Sequence, residues 1–356
     1  MAPHGPSDVY ATFPTLMQAV RYLSPGAVAL EEVTIRDPGE DEIRIRPLAV
    51  GICGTDARII EGAYFARPGV ILGHEVAGIV EATGRAVTTV REGDLVTVEP
   101  HLYCGACRAC RLGHEHLCPD KRAFGVHLDG GMAELLIVPA RLAYRLPPGM
   151  DPTVGCLTEP LACAVHGIDR LEPRSGLPVL VLGAGPAGLM LASLARLAGL
   201  AVVVVEPDAR RRAVAEAMAD AVTIDPTAPD WQDQARRAGG GDGFEFVIEA
   251  SGSAAGLETG VALAARRGRI LVYGVARPDD RASIPPYEVY ARELTILGSA
   301  LNPFTHLRAV ELLTEVRFDQ LDRGVYPLTQ YRAAFDAQRD RLSSKIVIAP
   351  NAAVHA

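Results

Sequence analysis

Lysine is almost missing from this chain. Of its 35 basic residues only Lys121 and Lys345 are lysines. The skew reads as the coding bias of a GC-rich genome. Charge of one sign is not massed either: 43 acidic residues against 35 basic ones give a net charge of -8, with no block of like charge. That excludes the basic stripe a nucleic-acid partner requires, and any charged tail. Long hydrophobic runs are absent. The longest, Leu189 to Val205, is broken by Arg196 and Gly199 and reads as a helix followed by a buried strand, not a membrane span. Residues 1–16 hold no Lys or Arg and no apolar core, so no secretory signal is visible, and this Pro-rich stretch is expected to be a flexible leader. Cytoplasmic residence is the default expectation, where thiols stay reduced.

Cysteine is present in an uneven way. Four of the seven cysteines, Cys104, Cys107, Cys110 and Cys118, form a C-x2-C-x2-C-x7-C run. Four thiolates this close in sequence can close around one tetrahedral zinc, which leaves no position for substrate. The run is therefore expected to be structural, with apparent binding energy of about 10 kcal/mol. His101, His114 and His116 flank it and are expected to be exposed loop residues. Cys163 is expected to pack; Cys156 is expected to be structural, with a metal as its alternative; and His166 is expected either to pack or to lie near a bound ligand.

A length of 356 residues suggests two domains. From Gln18 to about Val138 the chain is strand-rich, with period-two alternation in segments such as Glu42–Arg46. From about Leu177 apolar runs at 179–182, 202–205, 244–248 and 270–273 alternate with helical stretches at 187–198, 208–219, 230–238 and 255–265. That alternation predicts a parallel sheet covered on both faces. A helix at 305–316, an amphipathic stretch at 331–340 and a strand at 346–348 close the chain.

The run from Val179 to Gly188 is a buried strand entering Gly183-Ala184-Gly185-Pro186-Ala187-Gly188, a G-x-G-x-x-G turn, and then a helix. Such glycines allow a tight turn, close approach of a pyrophosphate and close helix–strand packing. Glu206 ends the next strand, where a carboxylate binds adenosine ribose hydroxyls and repels a 2′-phosphate. NAD is therefore expected over NADP. Arg210, Arg211 and Arg212 follow, and arginine can hold a 2′-phosphate; they fall on the exposed first turn of a helix, and Arg211 is counted with the cofactor site. The scarcity of lysine is useful here. Short-chain dehydrogenases need Tyr-x-x-x-Lys, and Leu117 and Arg341 stand four residues before the two lysines.

A third constellation joins Cys53-Gly54-Thr55-Asp56, Gly73-His74-Glu75 and Glu159-Pro160-Leu161. A catalytic zinc needs about three protein ligands and one open position, and a thiolate, an imidazole and a carboxylate supply them. With the Glu-Pro-Leu-Ala-Cys-Ala-Val-His run ending at His166, the cysteine lobe and the glycine-rich turn, the chain from Met17 to Pro350 resembles the zinc-dependent medium-chain alcohol dehydrogenase superfamily. The likeness is to its polyol (sorbitol/threonine dehydrogenase-like) branch.

The resemblance implies an α/β protein. A GroES-like β-rich catalytic domain would span 17–165 and a Rossmann NAD-binding domain with a doubly wound parallel sheet 166–300. Residues 301–356 would return to the catalytic domain. It implies two zinc ions per chain: a catalytic one on Cys53, His74 and Glu75, with Glu159 either joining them or holding the zinc water, and a structural one on the four-cysteine run. Hydride would pass from a secondary alcohol of a polyol, sugar or cyclitol to NAD, giving the ketone. L-threonine 3-dehydrogenase and an NAD-retaining epimerase are the alternatives. Thr55 matches the relay hydroxyl of many relatives, whereas Arg58 stands where many carry a histidine and cannot act as a base. Tyr64, Phe65, His127 and Phe304 are expected near the substrate or in the core. Homodimers or homotetramers are implied, with the strand near Thr295–Gly298 pairing across a two-fold axis.

Overall fold

The computed structural model describes residues 15–351. Most of the expected leader, residues 1–16, lies outside them, while Thr15 and Leu16 already belong to the first strand. That strand, Thr15–Ser24, pairs antiparallel with Ala27–Ile35. Gly26 between them has φ 77°, left-handed backbone that glycine adopts without a Cβ clash.

The first domain is built on a seven-stranded sheet. Its middle strand, Glu42–Gly51, buries every second residue from Ile43 to Ala49, as the alternating sequence predicts. Glu75–Thr83 pairs with it antiparallel and brings Glu75 opposite Gly51. The second domain holds six parallel strands in the order 222–224, 201–205, 178–182, 244–249, 264–272, 295–298. The inner strands are buried on both faces because helices cover each side, so they read as continuous Val, Leu and Ile runs. Strand order reverses beside Pro178–Leu182, and the crevice at the carboxyl ends there is where such sheets take ligands.

The expected helices at 187–198, 208–219, 230–238 and 255–265 form at Pro186–Leu197, Ala209–Ala219, Trp231–Ala238 and Ala254–Leu263. The helix expected at 305–316 is shorter, His306–Leu312. Its end tightens into turns in which Leu313 and Glu315 donate to carbonyls three residues back, and these turn Val316 and Phe318 into the core.

Two features join the domains. The helix Thr158–Leu171 runs without interruption across residues 165 and 166. Its Leu161, Ala164 and Val165 share one buried cluster with Ala49 and Ala77 of the first sheet and Val179 and Val181 of the second. The chain end also meets the first sheet: Lys345–Ala349 lies antiparallel to Glu42–Gly51, with Val347 opposite Gly51. Among the described residues no helix is long and apolar enough to cross a membrane.

Candidate active site and metal centres

Cys53 ends an extended segment and is the N-cap of the helix Gly54–Ile60. Its backbone N–H donates to Asp56 Oδ2 at 2.8 Å, a local bond that fixes the helix start and with it the Cys53 sulfur. Glu75 opens the adjoining strand, and His74 immediately precedes it. The ligand atoms of Cys53, His74 and Glu75 lie within 4.8 Å of one another. His74 Nδ1 and Asp56 Oδ1 are buried without a hydrogen-bond partner. Burial alone would lower the His74 pKa; the Asp56 carboxylate and the Cys53 sulfur outweigh it and hold the imidazole well above its usual value. A half-buried thiol beside a buried imidazole and carboxylate, together attracting positive charge, suits a metal cation such as zinc.

Two further residues complete this centre, and sequence reasoning missed both. Asp56 is fully buried, 3.8 Å from His74 Nδ1, where a carboxylate orients a ligating imidazole. Its only sequence signal is its place three residues after Cys53. Lys345 Nζ is 2.7 Å from Glu75 Oε1, in a buried ion pair. Burial would lower the lysine, but the Glu75 carboxylate raises it. Such pairs add little net stability and act mainly to fix geometry. Gly51 makes room for it, since a Cβ there would sit 2.0 Å from Glu75 Oε2.

Glu159 opens the helix Thr158–Leu171 and is buried, but it falls outside the three-ligand group. Burial raises its pKa, and its Oε1 accepts from Cys163 Sγ at 3.5 Å. Thr55 Oγ1 lies 3.7 Å from Cys53 Sγ. Cys156 is fully buried in the core, as expected.

The second group is Cys104, Cys107, Cys110 and Cys118, again with all ligand atoms within 4.8 Å. Backbone N–H groups of Cys107 and Cys110 donate to the Cys104 and Cys107 sulfurs. N–H bonds from Ala106 and Cys107 bring the Cys104 thiol down to about 7, whereas burial and the Cys107 sulfur push Cys110 up to about 12. Four thiolates cannot coexist without a cation, which is the chemistry a zinc resolves.

The flanking histidines correct the sequence expectation. His114 is exposed, but His101 and His116 are buried. His116 packs edge-on against His166 of the linking helix, with ring centroids 5.2 Å apart. His101 opens a two-residue strand paired with Arg122–Ala123. It belongs to a buried polar patch with Glu99, Tyr144, Asn302 and His306. Tyr64, Phe65 and Phe304 are exposed rather than core. Phe304 sits in a turn at φ 54°, and Phe65 lies 5.6 Å from His127, ring to ring.

The polar patch has a pH signature. Burial raises Glu99 to about 7 against the Tyr144 hydroxyl bond that lowers it, and burial lowers His101 and His306 to about 3. A raised carboxyl favours the folded state below its ordinary pKa and loses that contribution as pH rises through about 7. The depressed imidazoles act in the other direction, and their contribution is lost as pH falls from about 6.5 towards 3. Glu99→Gln should therefore stabilise the fold at pH 8 by up to about 3 kcal/mol and much less at pH 5. Urea unfolding at both values checks this; an equal shift at both would unlink Glu99 ionisation from stability.

A cleft of about 770 Å³ runs from Cys53 and Glu75 to the glycine-rich turn. Gly183 has φ 101° and Gly185 faces open space, so the backbone is bare where a phosphate would approach. Gly188 serves packing, since a Cβ there would meet Gly183 O at 2.0 Å. Pro186 and Ala187 open the helix and line the same wall. Glu206 also lines it; its Oε2 accepts from Ala184 N at 2.7 Å and its Oε1 from Asp208 N at 3.0 Å. Arg210 pairs with Asp208, and Arg212 with Asp225. Arg211 alone of the three lines the cleft. The bare turn, the helix N-terminus and the carboxylate suit a dinucleotide.

The alcohol dehydrogenase GroES-like domain family matches residues 39–148 and the zinc-binding dehydrogenase family residues 186–315. D-arabinitol dehydrogenase 1 of Uromyces fabae is 32% identical over 349 residues, covering 96% of this chain and 99% of that protein. L-threonine 3-dehydrogenase of Pyrococcus horikoshii is 38% identical over 265 residues, 73% of this chain and 76% of its own. A zinc-binding dehydrogenase of Sinorhizobium meliloti, solved with NADP bound, superposes with TM-score 0.90 at 36% identity, covering 94% of this chain and 100% of that one.

Proposed function

We propose, for a chain that belongs to the zinc-dependent medium-chain alcohol dehydrogenases, that it oxidises a secondary alcohol of a polyol, sugar or cyclitol to the ketone with NAD as hydride acceptor. One observation carries this: Cys53 and Glu75 of the donor set and Gly183 and Gly185 of the glycine-rich turn line one cleft. A zinc held there would supply Lewis acidity towards the alcohol oxygen, and a bound nicotinamide would supply the hydride acceptor. Cys53, His74 and Glu75 hold the metal, with Glu159 within electrostatic reach of His74. Asp56 orients His74, and Lys345 fixes Glu75. Thr55, beside the Cys53 sulfur, takes the substrate proton and passes it towards the cofactor ribose and solvent. The four clustered thiols of the cysteine lobe would hold a second, structural zinc.

NAD is favoured over NADP because the Glu206 carboxylate stands in the cleft wall where a 2′-phosphate would meet it. The NADP found in the Sinorhizobium structure makes the direct comparison worthwhile. The edge strand Thr295–Gly298, with Ile296 exposed, supports a homodimer or homotetramer built by strand pairing, which light scattering reads.

The test is a panel of sugar alcohols, cyclitols and L-threonine, each with NAD and with NADP, followed by NADH absorbance and run beside Thr55→Val. The expected result is NAD reduction by a polyol or cyclitol, at least tenfold better than with NADP, and slowed by Thr55→Val without loss of NADH binding. Oxidation of L-threonine alone would move the substrate to the amino alcohols, and a preference for NADP would overturn the role of Glu206.

A further inference from the structure

Arg58 lies one turn after Gly54 on the helix that begins at Cys53, and its guanidinium leaves its own domain. Nη2 donates to the backbone carbonyl of Val275, in the loop that follows the strand Ala264–Val272 of the parallel sheet. Burial does not hold that loop: Val275 is 71% exposed. The loop is anchored at its root. A Cβ on Gly274 would meet Gly252 N at 2.2 Å, and the buried Glu249 carboxylate accepts from the N–H groups of Ser251 and Gly252. A firm root and an exposed crest leave Arg58 as a tie from the other domain.

The charge of Arg58 is uncommitted. Among the described residues it forms no ion pair, and its one hydrogen bond is to a neutral carbonyl. It lines the same cleft as Gly183, Gly185 and Pro186. A guanidinium offers five N–H donors in a rigid fork, so most remain available toward the cleft. The group that must enter there carries a diphosphate, and Arg–phosphate bonds are among the stronger hydrogen bonds proteins make.

We propose that Arg58 is a positioning residue for the dinucleotide: it ties the Val275 loop to the catalytic domain and turns its remaining donors to the cofactor diphosphate, so that binding and domain closure reinforce each other. This rests on the dehydrogenase reading above. It assigns the arginine a task that a histidine relay could not perform, and it places the proton route elsewhere.

The test uses the full-length zinc-loaded protein and NADH. Trp231 is the only tryptophan and lines the same cleft, so energy transfer from it to NADH gives a dissociation constant without turnover. Arg58→Ala should raise that constant by about tenfold to a hundredfold, as expected for losing charge-assisted hydrogen bonds. Arg58→Lys should restore part of the affinity, because it keeps the charge but not the fork. The steady-state loss should fall on KM for the cofactor more than on kcat, with the pH profile of kcat in place. An unchanged NADH constant in both variants would overturn the proposal, as would a kcat loss with a displaced pH profile at saturating cofactor. Should Arg58→Ala fail to fold, Arg58→Lys alone decides by the same constant. If the wild-type protein does not bind NADH, the dehydrogenase reading itself fails and the proposal falls with it.

Discussion

Replacing Cys53 with alanine is expected to lower turnover by at least about a thousandfold while leaving the chain folded. The loss follows from the donor set. Three side chains converge within 4.8 Å, and removing the thiolate leaves an imidazole and a carboxylate that is already committed to Lys345. Two donors hold zinc poorly, and the electrophile that activates the alcohol goes with it; losing even one preorganised electrostatic group commonly costs about a hundredfold to a thousandfold. The fold should survive for a local reason. The helix start depends on the bond from the Cys53 backbone N–H to Asp56, which alanine keeps. The side chain is small and half-buried, so no large cavity opens. Turnover measured beside circular dichroism and metal content checks this. A Cys53→Ala protein that turns over at even a tenth of the wild-type rate would remove Cys53 from the metal site.

Cys107→Ser should give the opposite pattern, a large loss of stability with the chemistry of the surviving folded molecules intact. Serine is deliberate here. Cys107 is the N-cap of the short helix Arg108–Arg111, where its sulfur accepts from Cys110 N, and serine is a better cap. Any destabilisation therefore comes from the metal. Structural zinc contributes apparent binding energy of about 10 kcal/mol, and a three-thiol remnant retains only part of it. Several kcal/mol should be lost, visible as a fall of roughly 10 °C or more in the unfolding temperature. The lobe also touches the linking helix through His116 and His166, so its loosening should spread to the boundary between the domains. An unchanged unfolding temperature with one zinc missing would show that the lobe is decorative.

Much of this was legible in the sequence, and what was hidden has a common cause. The glycine-rich turn, the cysteine run and the alternating strands are local patterns, set by backbone sterics and spacing; the strands at 178–182, 201–205 and 244–249 match within a residue, whereas the one expected at 270–273 starts earlier, at Ala264. Cys53, His74 and Glu75 stand in short motifs of the sequence, and their ligand atoms lie within 4.8 Å of one another. Glu159, which the sequence offers either as a ligand or as a partner of the zinc water, stands outside that three-residue group and accepts from Cys163 Sγ. The hidden features are long-range. Lys345 reaches Glu75 only because the chain end inserts beside Glu42–Gly51, a pairing no local pattern encodes. His101 and His116 look like loop residues in a cysteine-rich, polar stretch, yet the lobe folds back on Asn302 and on the linking helix and buries them. Arg58 reads as a missing histidine in the sequence and becomes a link between domains only when Val275 is brought opposite it.

The most direct test of zinc-dependent hydride transfer is to count zinc by mass spectrometry while NAD reduction is followed during stepwise chelation. The native protein should hold two zinc ions per chain. Removal of the one bound by Cys53, His74 and Glu75, whose cleft is open to solvent, should abolish NAD reduction while the fold persists, and added zinc should restore it. Full turnover by a protein that retains only the zinc of the four-cysteine lobe would contradict it.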